Sequence, residues 1–465
     1  MNKTIVNVYR GTCGMGVTVS ITYDQTRVIF DFGAPFTPLS NVYDGEVRRR
    51  QENSIKDALL LKRALMIPGI YNRKDLKDLT LLPYEESDLH TVFFISHLHL
   101  DHMSEIDKIA KEIDVYLHKD GIKLLNVLNE NAETKTYREC IGFDYKEKIR
   151  IGEIEIEPLF SDHPCPGASM FLITTPDTKI CYSGDIRFHG CRYNRAFEEV
   201  KQLRKEKIDL LLLDATIVSP LHLHLDKKVD ASLFEPSREL KEGCISEEEI
   251  YAEIAEILKD KEALCVFNQY ERDTQMMRHM IEVGEKEERM TVFDPLFAKI
   301  IKEVEGLKVP VYLCEKDPIS PSLKDHLIIT KEMIKNNPGH YLLQNHFSNL
   351  LQLTDFDGLK AHYFHLFGEP LVEGTKEYRI MLNVIEKLGW TFYSRSNLYS
   401  FSHAYPNQLA YMIKTIEPKT IIALHSKHPE NLHPPVGEQF YPEEGRDYVV
   451  EKGRLIKKEK YEAGL

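Results

Sequence analysis

Short apolar runs separated by turn residues open the chain: TIVNVY (4–9), VTVSITY (17–23) and RVIFDFG (27–33). Runs of this length, rich in β-branched residues, predict antiparallel strands joined by glycine-rich turns. Residues 40–85 are charged and mostly helical in pattern, and read as a loop-helix insertion. TVFFIS (91–96) predicts a buried strand. MSEIDKIAKEI (103–113) has apolar residues at helical spacing, so the segment between the two is expected to be a strand-to-helix loop. IDVYLHKD (113–120) and further strands are expected through residue 160, and KIDLLLLDATIV (207–218) is expected to be a strand ending in an acid. From about 220 to 398 the texture changes. Amphipathic helices such as SEEEIYAEIAEILKD (246–260) alternate with the short apolar runs ALCVFN, VPVYLC and HYLLQN. That alternation predicts βαβ units and a parallel sheet. The segment 401–432 returns to strand, helix and strand, with a histidine ending TIIALH (420–425).

At 465 residues the chain is too long for one simple core, and two domains are expected. No apolar run of about 18 residues is present, so no membrane partner is expected. The N-terminus has no apolar signal region. Eight cysteines are scattered without a CxxC pair, which predicts reduced thiols and a cytoplasmic location. A net charge of -13 argues against non-specific coating of nucleic acid, but a basic groove can sit within an acidic total.

The candidate chemistry lies in FFISHLHLDHMSEI (93–106), where His97, His99, Asp101 and His102 fall within six positions. Imidazole and carboxylate are ligands for borderline and hard divalent metals. His97 and His99 alternate on an extended stretch and can share one ion; Asp101 and His102 then face a second. Two ions about 3.5–4 Å apart can clamp the attacking and leaving oxygens of a phosphoryl centre. Four ligands are too few for two ions, so further ligands must come from elsewhere in the chain.

HLHLDH resembles the HxHxDH motif of the metallo-β-lactamase superfamily, and further matching motifs follow in order. The resemblance implies an α/β fold, an αββα sandwich. It also implies metal ligands at His163 (SDHPCPGA) and at Asp185 (YSGD), the latter between two ions, and a bracing role for Asp31 (VIFDFG). The long insert, Asp214 before it, and His403 (FSHA) and His425 (IIALH) after it resemble the β-CASP nuclease branch, which includes ribonuclease J and mRNA 3′-end processing endonucleases. VFNQYERDTQMMRHMIE (266–282) is similar to the first strand and helix of that insert. The implied organisation is a first part of the sandwich at 1–218, a β-CASP cap at 219–398 and a second part at 399–465.

On this resemblance the expected metal ligands are His97, His99, Asp101, His102, His163, Asp185 and His425. They would hold two Zn2+, with Mn2+ as the alternative. Asp101, His403 and Asp214 are the expected catalytic residues, with His403 stabilising charge or protonating the leaving oxygen. Asp31 and Ser402 brace the ligands. The implied activity is that of a zinc-dependent nuclease. Its expected partner is single-stranded nucleic acid, RNA over DNA, because motif C is histidine rather than valine. Exonuclease against endonuclease mode and homodimerisation are left open. The competing expectation is a small-molecule hydrolase, a phosphodiesterase or lactonase, on the same metal pair.

The sequence departs from the family pattern in three places. Where Ser-Gly-His-Ala is common the chain reads Phe401-Ser402-His403-Ala404, so the glycine is missing; Ser-Lys-His-Pro follows His425, and 36–85 match no family motif. His222 and His224 read as polar hinge residues. His118, His340, His346, His362 and His365 read as structural or surface residues. For His189 a bracing or substrate role competes with a structural one. Cys165 reads as packing rather than a nucleophile.

Overall fold

The computed structural model describes residues 2–37, 47–48, 50–130, 136, 138–218, 230–241, 244–313, 321–394 and 402–458. The expectations for His222 and His224, for Phe401 and for part of 36–85 fall outside these residues. Two sheets lie face to face. One has eight strands in the order Arg454–Lys457, Asp447–Glu451, Ile5–Arg10, Thr18–Tyr23, Thr26–Phe30, His90–Ile95, Val115–His118 and Ile141–Phe143. The other has seven: Glu438–Gln439, Thr420–Leu424, Leu210–Asp214, Lys179–Tyr182, Ser169–Thr174, Ile154–Phe160 and Ile149–Ile151.

The strand period of two explains how these layers stack. Val28, Phe30, Val92 and Phe94 point inward and meet Phe171, Tyr182 and Leu212 of the facing sheet. Phe94 and Phe171 approach edge to face across the sandwich at 5.8 Å. The alternate residues Ile29, Phe93 and Ile95 point outward into a helix-covered layer. Helices Tyr193–Glu206 and Pro406–Ile416 cover the outer face of the second sheet. This is the αββα sandwich expected from the sequence.

A third, fully parallel sheet is ordered Met290–Val292, Tyr341–Gln344, Leu264–Gln269, Ala361–Leu366, Thr391–Ser394. Its helix Glu247–Leu258 starts with a capping box, Ser246 and Glu249 each bonding the other's backbone N–H. The expected strand and helix of 266–282 form as Leu264–Gln269 and Thr274–Lys286.

Three elements differ from expectation. The strand expected at the start of 401–432 does not form among the described residues; His403 instead precedes the helix Pro406–Ile416, and the strand Thr420–Leu424 follows. Residues 119–130, in a stretch read as strands, form a helix that buries Leu124, Leu125, Val127 and Leu128. The helix expected over 103–113 does not form. Only Leu100–Met103 and a turn at Ile106–Lys108 are helical, so Asp101 and His102 sit inside a short helix rather than on an open loop. The Phe32 N–H bonds the His102 carbonyl at 2.6 Å and the Glu105 N–H bonds the Phe32 carbonyl at 3.1 Å. These bonds draw the chain to the neighbouring strand end and replace the helical ladder.

Among the described residues no helix is long and apolar enough to cross a membrane. Seven described cysteines are free thiols.

Candidate metal centre

Strand ends carry the site. Asp31 follows Thr26–Phe30, His97 and His99 follow His90–Ile95, His163 follows Ile154–Phe160, and Asp185 follows Lys179–Tyr182. Asp214 ends its strand, and His425 follows Thr420–Leu424, whose Leu424 is in register with Asp214. Asp31 and His425 both adopt left-handed backbone, at φ 58° and 59°. Such conformations in non-glycine residues cluster at functional sites, because surrounding structure must hold them.

Among the described residues, three groups of potential ligand atoms lie within 4.8 Å of one another: His97, His99, His163 and Asp185; Asp101, His102 and His425; and Asp185, Asp214, His403 and His425. The first two correspond to the two ligand sets read from the sequence, and Asp185 faces both. Its Oδ2 is 3.5 Å from His97 Nε2, and its Oδ1 is 3.3 Å from His102 Nε2. His425 Nε2 is 2.9 Å from Asp101 Oδ2 and 3.3 Å from His102 Nε2.

The hydrogen-bond network assigns the tautomers. Ser96 Oγ donates to Asp31 Oδ2 at 2.7 Å and so accepts from His97 Nδ1 at 2.9 Å. His102 Nδ1 donates to Asp31 Oδ2 at 2.8 Å. His163 Nδ1 donates to the Ser402 carbonyl at 2.9 Å. Thr216 Oγ donates to Asp214 Oδ1 at 2.7 Å and accepts from His425 Nδ1 at 2.7 Å. In all four rings the Nε2 lone pair is therefore the one turned into the site. His99 presents Nδ1, 3.1 Å from His163 Nε2.

The donor set fits a pair of divalent cations. His97 Nε2 and Asp185 Oδ1, both turned into the site, are buried without a hydrogen-bond partner, and such groups call for a compensating charge. Burial pushes His97 and His163 well below the ordinary imidazole range and His99 to about 3, so these rings are neutral, as ligands must be. Burial acts the same way on His102, but the carboxylates of Asp185, Asp101 and Asp31 outweigh it and hold this ring well above its ordinary range. Burial would raise Asp101, yet the charges on His102 and His425 bring it to about 2. The concentration of carboxylates that favours a proton on His102 also favours a metal cation.

Asp31 is fully buried and accepts four bonds. Two come from Ser96, one from His102, and one from the Tyr182 hydroxyl at 2.5 Å. Gly33 packs on the same loop: a Cβ there would stand 2.0 Å from the Asp101 carbonyl carbon. Ser402 acts through its main-chain carbonyl, not its hydroxyl. His403 Nδ1 is 2.8 Å from Asp214 Oδ2. Burial opposes its protonation, but Asp214 and then Asp185 prevail and raise the ring to about 9.

The remaining candidates fall elsewhere. His189 packs on Tyr405 and Gln408. Cys165 is buried, with its thiol pushed up to about 12. His340, His346, His362 and His365 lie in the segment of the third sheet, and His118 packs on Tyr145. Sequence reasoning missed Ser96, Thr216 and Tyr182, whose only signal is adjacency to the motif residues. It also missed a buried Arg187, bonded to Glu247 at 3.2 Å and Gln275 at 2.9 Å.

Above the ligands is a cleft of about 150 Å³. Met15, Phe36, Leu100 and Pro164 line one side, while Tyr270 and Phe367 come from the third sheet. Both aromatic residues directly follow adjacent parallel strands, at the carboxyl edge where α/β sheets place ligands.

Residues 73–240 match the model of the beta-lactamase superfamily domain. The chain is 23% identical to "Probable RNase MJ4" of Methanocaldococcus jannaschii, the alignment covering 72% of this chain and 81% of that protein. It is 21% identical to ribonuclease J of Mycoplasma genitalium, covering 72% of this chain and 57% of that protein. The chain thus spans little more than half the length of the mycoplasma relative. A crystal structure of a protein of unknown function from Enterococcus faecalis V583 superposes with a TM-score of 0.77 at 27% identity, covering 96% of this chain and 100% of that one.

Proposed function

We propose that this member of the metallo-β-lactamase superfamily, of its β-CASP branch, is a metal-dependent phosphodiester hydrolase acting on single-stranded nucleic acid, RNA in preference to DNA. The observation that carries the reading is the pair of ligand sets disposed about the two oxygens of Asp185. His97, His99 and His163 would hold one cation and Asp101, His102 and His425 the other, with Asp185 shared. Zn2+ is the proposed metal and Mn2+ the alternative. When bound, the cations supply Lewis acidity and neutralise phosphoryl charge.

The chain's own residues supply the rest. Asp31, Ser96, Ser402 and Thr216 hold the rings in the tautomer that turns Nε2 inward. Asp214 orients His403 through Nδ1 and favours its protonated form. His403 then protonates the leaving oxygen or stabilises charge on the phosphoryl group. The insert, 219–398 on this reading, contributes Tyr270 and Phe367 to the cleft and limits access of bulk water.

The nuclease names of the relatives support a nucleic acid substrate. The imidazole of His425 supports RNA, since RNA-directed members of the branch have histidine there. A second reading is favoured by the cleft itself: its small volume and the apolar side chains Met15, Phe36, Leu100 and Leu371 suit a compact ester. One experiment separates the two. Purified protein is incubated with end-labelled RNA, DNA of the same sequence and bis-p-nitrophenyl phosphate, with and without chelator. RNA cleavage that is faster than DNA cleavage and lost with chelator is expected. Equal or faster cleavage of DNA overturns the RNA preference. Turnover of a small ester alone, with both polymers intact, favours the second reading.

A further inference from the structure

The acidic surface of this chain engages many of its own cations in ion pairs. Lys148 and Arg150 pair with Glu155, Arg204 with Glu417 and Lys419 with Asp209. Among the described residues Arg192, Arg195 and Arg238 are exposed and have no carboxylate within 4.0 Å. Each rests on an aromatic face instead. Arg195 Cζ is 4.3 Å from the Phe160 centroid and 4.9 Å from that of Tyr145. Arg192 is 5.1 Å from Phe160, and Arg238 is 4.2 Å from Phe197. Arg238 Nη2 donates to Asn194 Oδ1 at 3.3 Å, which ties its segment to the others. Stacking holds the plane of a guanidinium in place and leaves its in-plane N–H donors open, the arrangement suited to phosphate oxygens.

The location connects this group to the cleft. Phe160 is the last residue of its strand and precedes His163 by three positions, about 10 Å of extended chain. Arg192 and Arg195 lie at the start of helix Tyr193–Glu206. The charge of Arg192 acts on Asp162, beside His163, and on Asp273, which lines the cleft. Glu198, one turn further along the helix, pairs with Lys201 at 2.7 Å and also feels the charge of Arg238.

We infer that Arg192, Arg195 and Arg238 form a rail that takes the phosphate backbone of a single-stranded nucleic acid and leads it to the metal centre. This rests on the nucleic acid reading above. It also explains how a chain of net charge -13 holds a polyanion: binding is local, through three pre-oriented cations.

The test is the salt dependence of binding. Fluorescence anisotropy follows a labelled 2′-O-methyl RNA of about twenty nucleotides from about 50 to about 200 mM salt. The proteins are wild type, R192Q/R195Q/R238Q, R192K/R195K/R238K and the remote control R150Q. The slope of log affinity against log salt is expected to become shallower by about 2 in the glutamine triple variant. It should stay at the wild-type value in the lysine triple variant and in R150Q. A glutamine triple variant with the wild-type slope overturns the rail, and a lowered Tm in that variant would then assign the three arginines to packing alone. Equal flattening by R150Q also overturns it, because net charge would suffice. If wild type hydrolyses bis-p-nitrophenyl phosphate but binds no RNA at low salt, the nucleic acid reading falls and the rail with it.

Discussion

Asp214 Oδ2 and His403 Nδ1 meet at 2.8 Å from positions 189 residues apart, one on each side of the third sheet's segment. The other oxygen of Asp214 is taken by the backbone N–H and hydroxyl of Thr216 at 3.0 and 2.7 Å, so the carboxylate is fixed before it orients the ring. His403 lies outside the two sets of three ligands about Asp185. His403→Ala is therefore expected to lower turnover by at least about a hundredfold while leaving metal content intact. Rates measured beside elemental analysis check this. Loss of metal would mean that His403 is a ligand, and full activity would remove it from the reaction.

The purified chain is expected to carry about two zinc or manganese ions. Chelator should abolish hydrolysis and lower Tm, since ions that bind only the folded chain stabilise it. Elemental analysis finding no transition metal, together with chelator-insensitive hydrolysis, would exclude the dinuclear reading.

Asp31→Ala is expected to destabilise the fold by about 3–5 kcal/mol, since a buried acceptor is removed and its donors are left unpaired. Asp31→Asn keeps the volume but not the charge. It should lower metal affinity by about 10–100-fold, as loss of such bracing groups does. Chemical denaturation and metal titration read the two effects separately.

Asp260 gives a pH prediction away from the metals. Hydrogen bonds from Lys360 at 2.8 Å and His362 at 2.9 Å lower its pKa to about 2. A carboxyl depressed in the folded state stabilises the protein above its unfolded pKa, near 3.9, and loses that contribution as pH falls through the folded value. The stability gap between wild type and Asp260→Asn should hold from about pH 7 to 4 and close towards pH 2. A gap that is unchanged at the acid end would show that the carboxylate's charge contributes nothing.

Thiol reactivity tests the packing. Cys13 is exposed, whereas burial pushes Cys181 and Cys265 up to about 12 and 11. An aromatic disulfide reagent at neutral pH should label Cys13 quickly and the other two only on unfolding. Peptide mapping that finds Cys181 or Cys265 labelled in native protein would contradict the model of the core.

The clustering of the motif residues was legible because motif spacing survives in sequence, and strand ends are easy to locate from β-branched runs. Less legible was the backbone around them. Nothing in MSEIDKIAKEI signals that the His102 carbonyl bonds Phe32, seventy residues earlier, and stops the expected helix. The left-handed conformations of Asp31 and His425 come from tertiary constraint rather than propensity. Ser96 and Thr216 become meaningful only when their hydroxyls are seen relaying between a carboxylate and a ring. Helix 119–130 escapes a strand-based reading because its apolar cluster, Leu124 to Leu128, lies between strands.

Thr420–Leu424 inserts beside Leu210–Asp214 in parallel, residue for residue, across about 210 intervening positions. This pairing sets an order on biosynthesis. A nascent chain that has emerged only as far as the third sheet holds His97, His99, His102 and His163 but lacks His403, His425 and the strand that positions the latter. It has the set of His97, His99 and His163 complete and the other short of an imidazole. The second set closes only when the last strands of the second sheet dock.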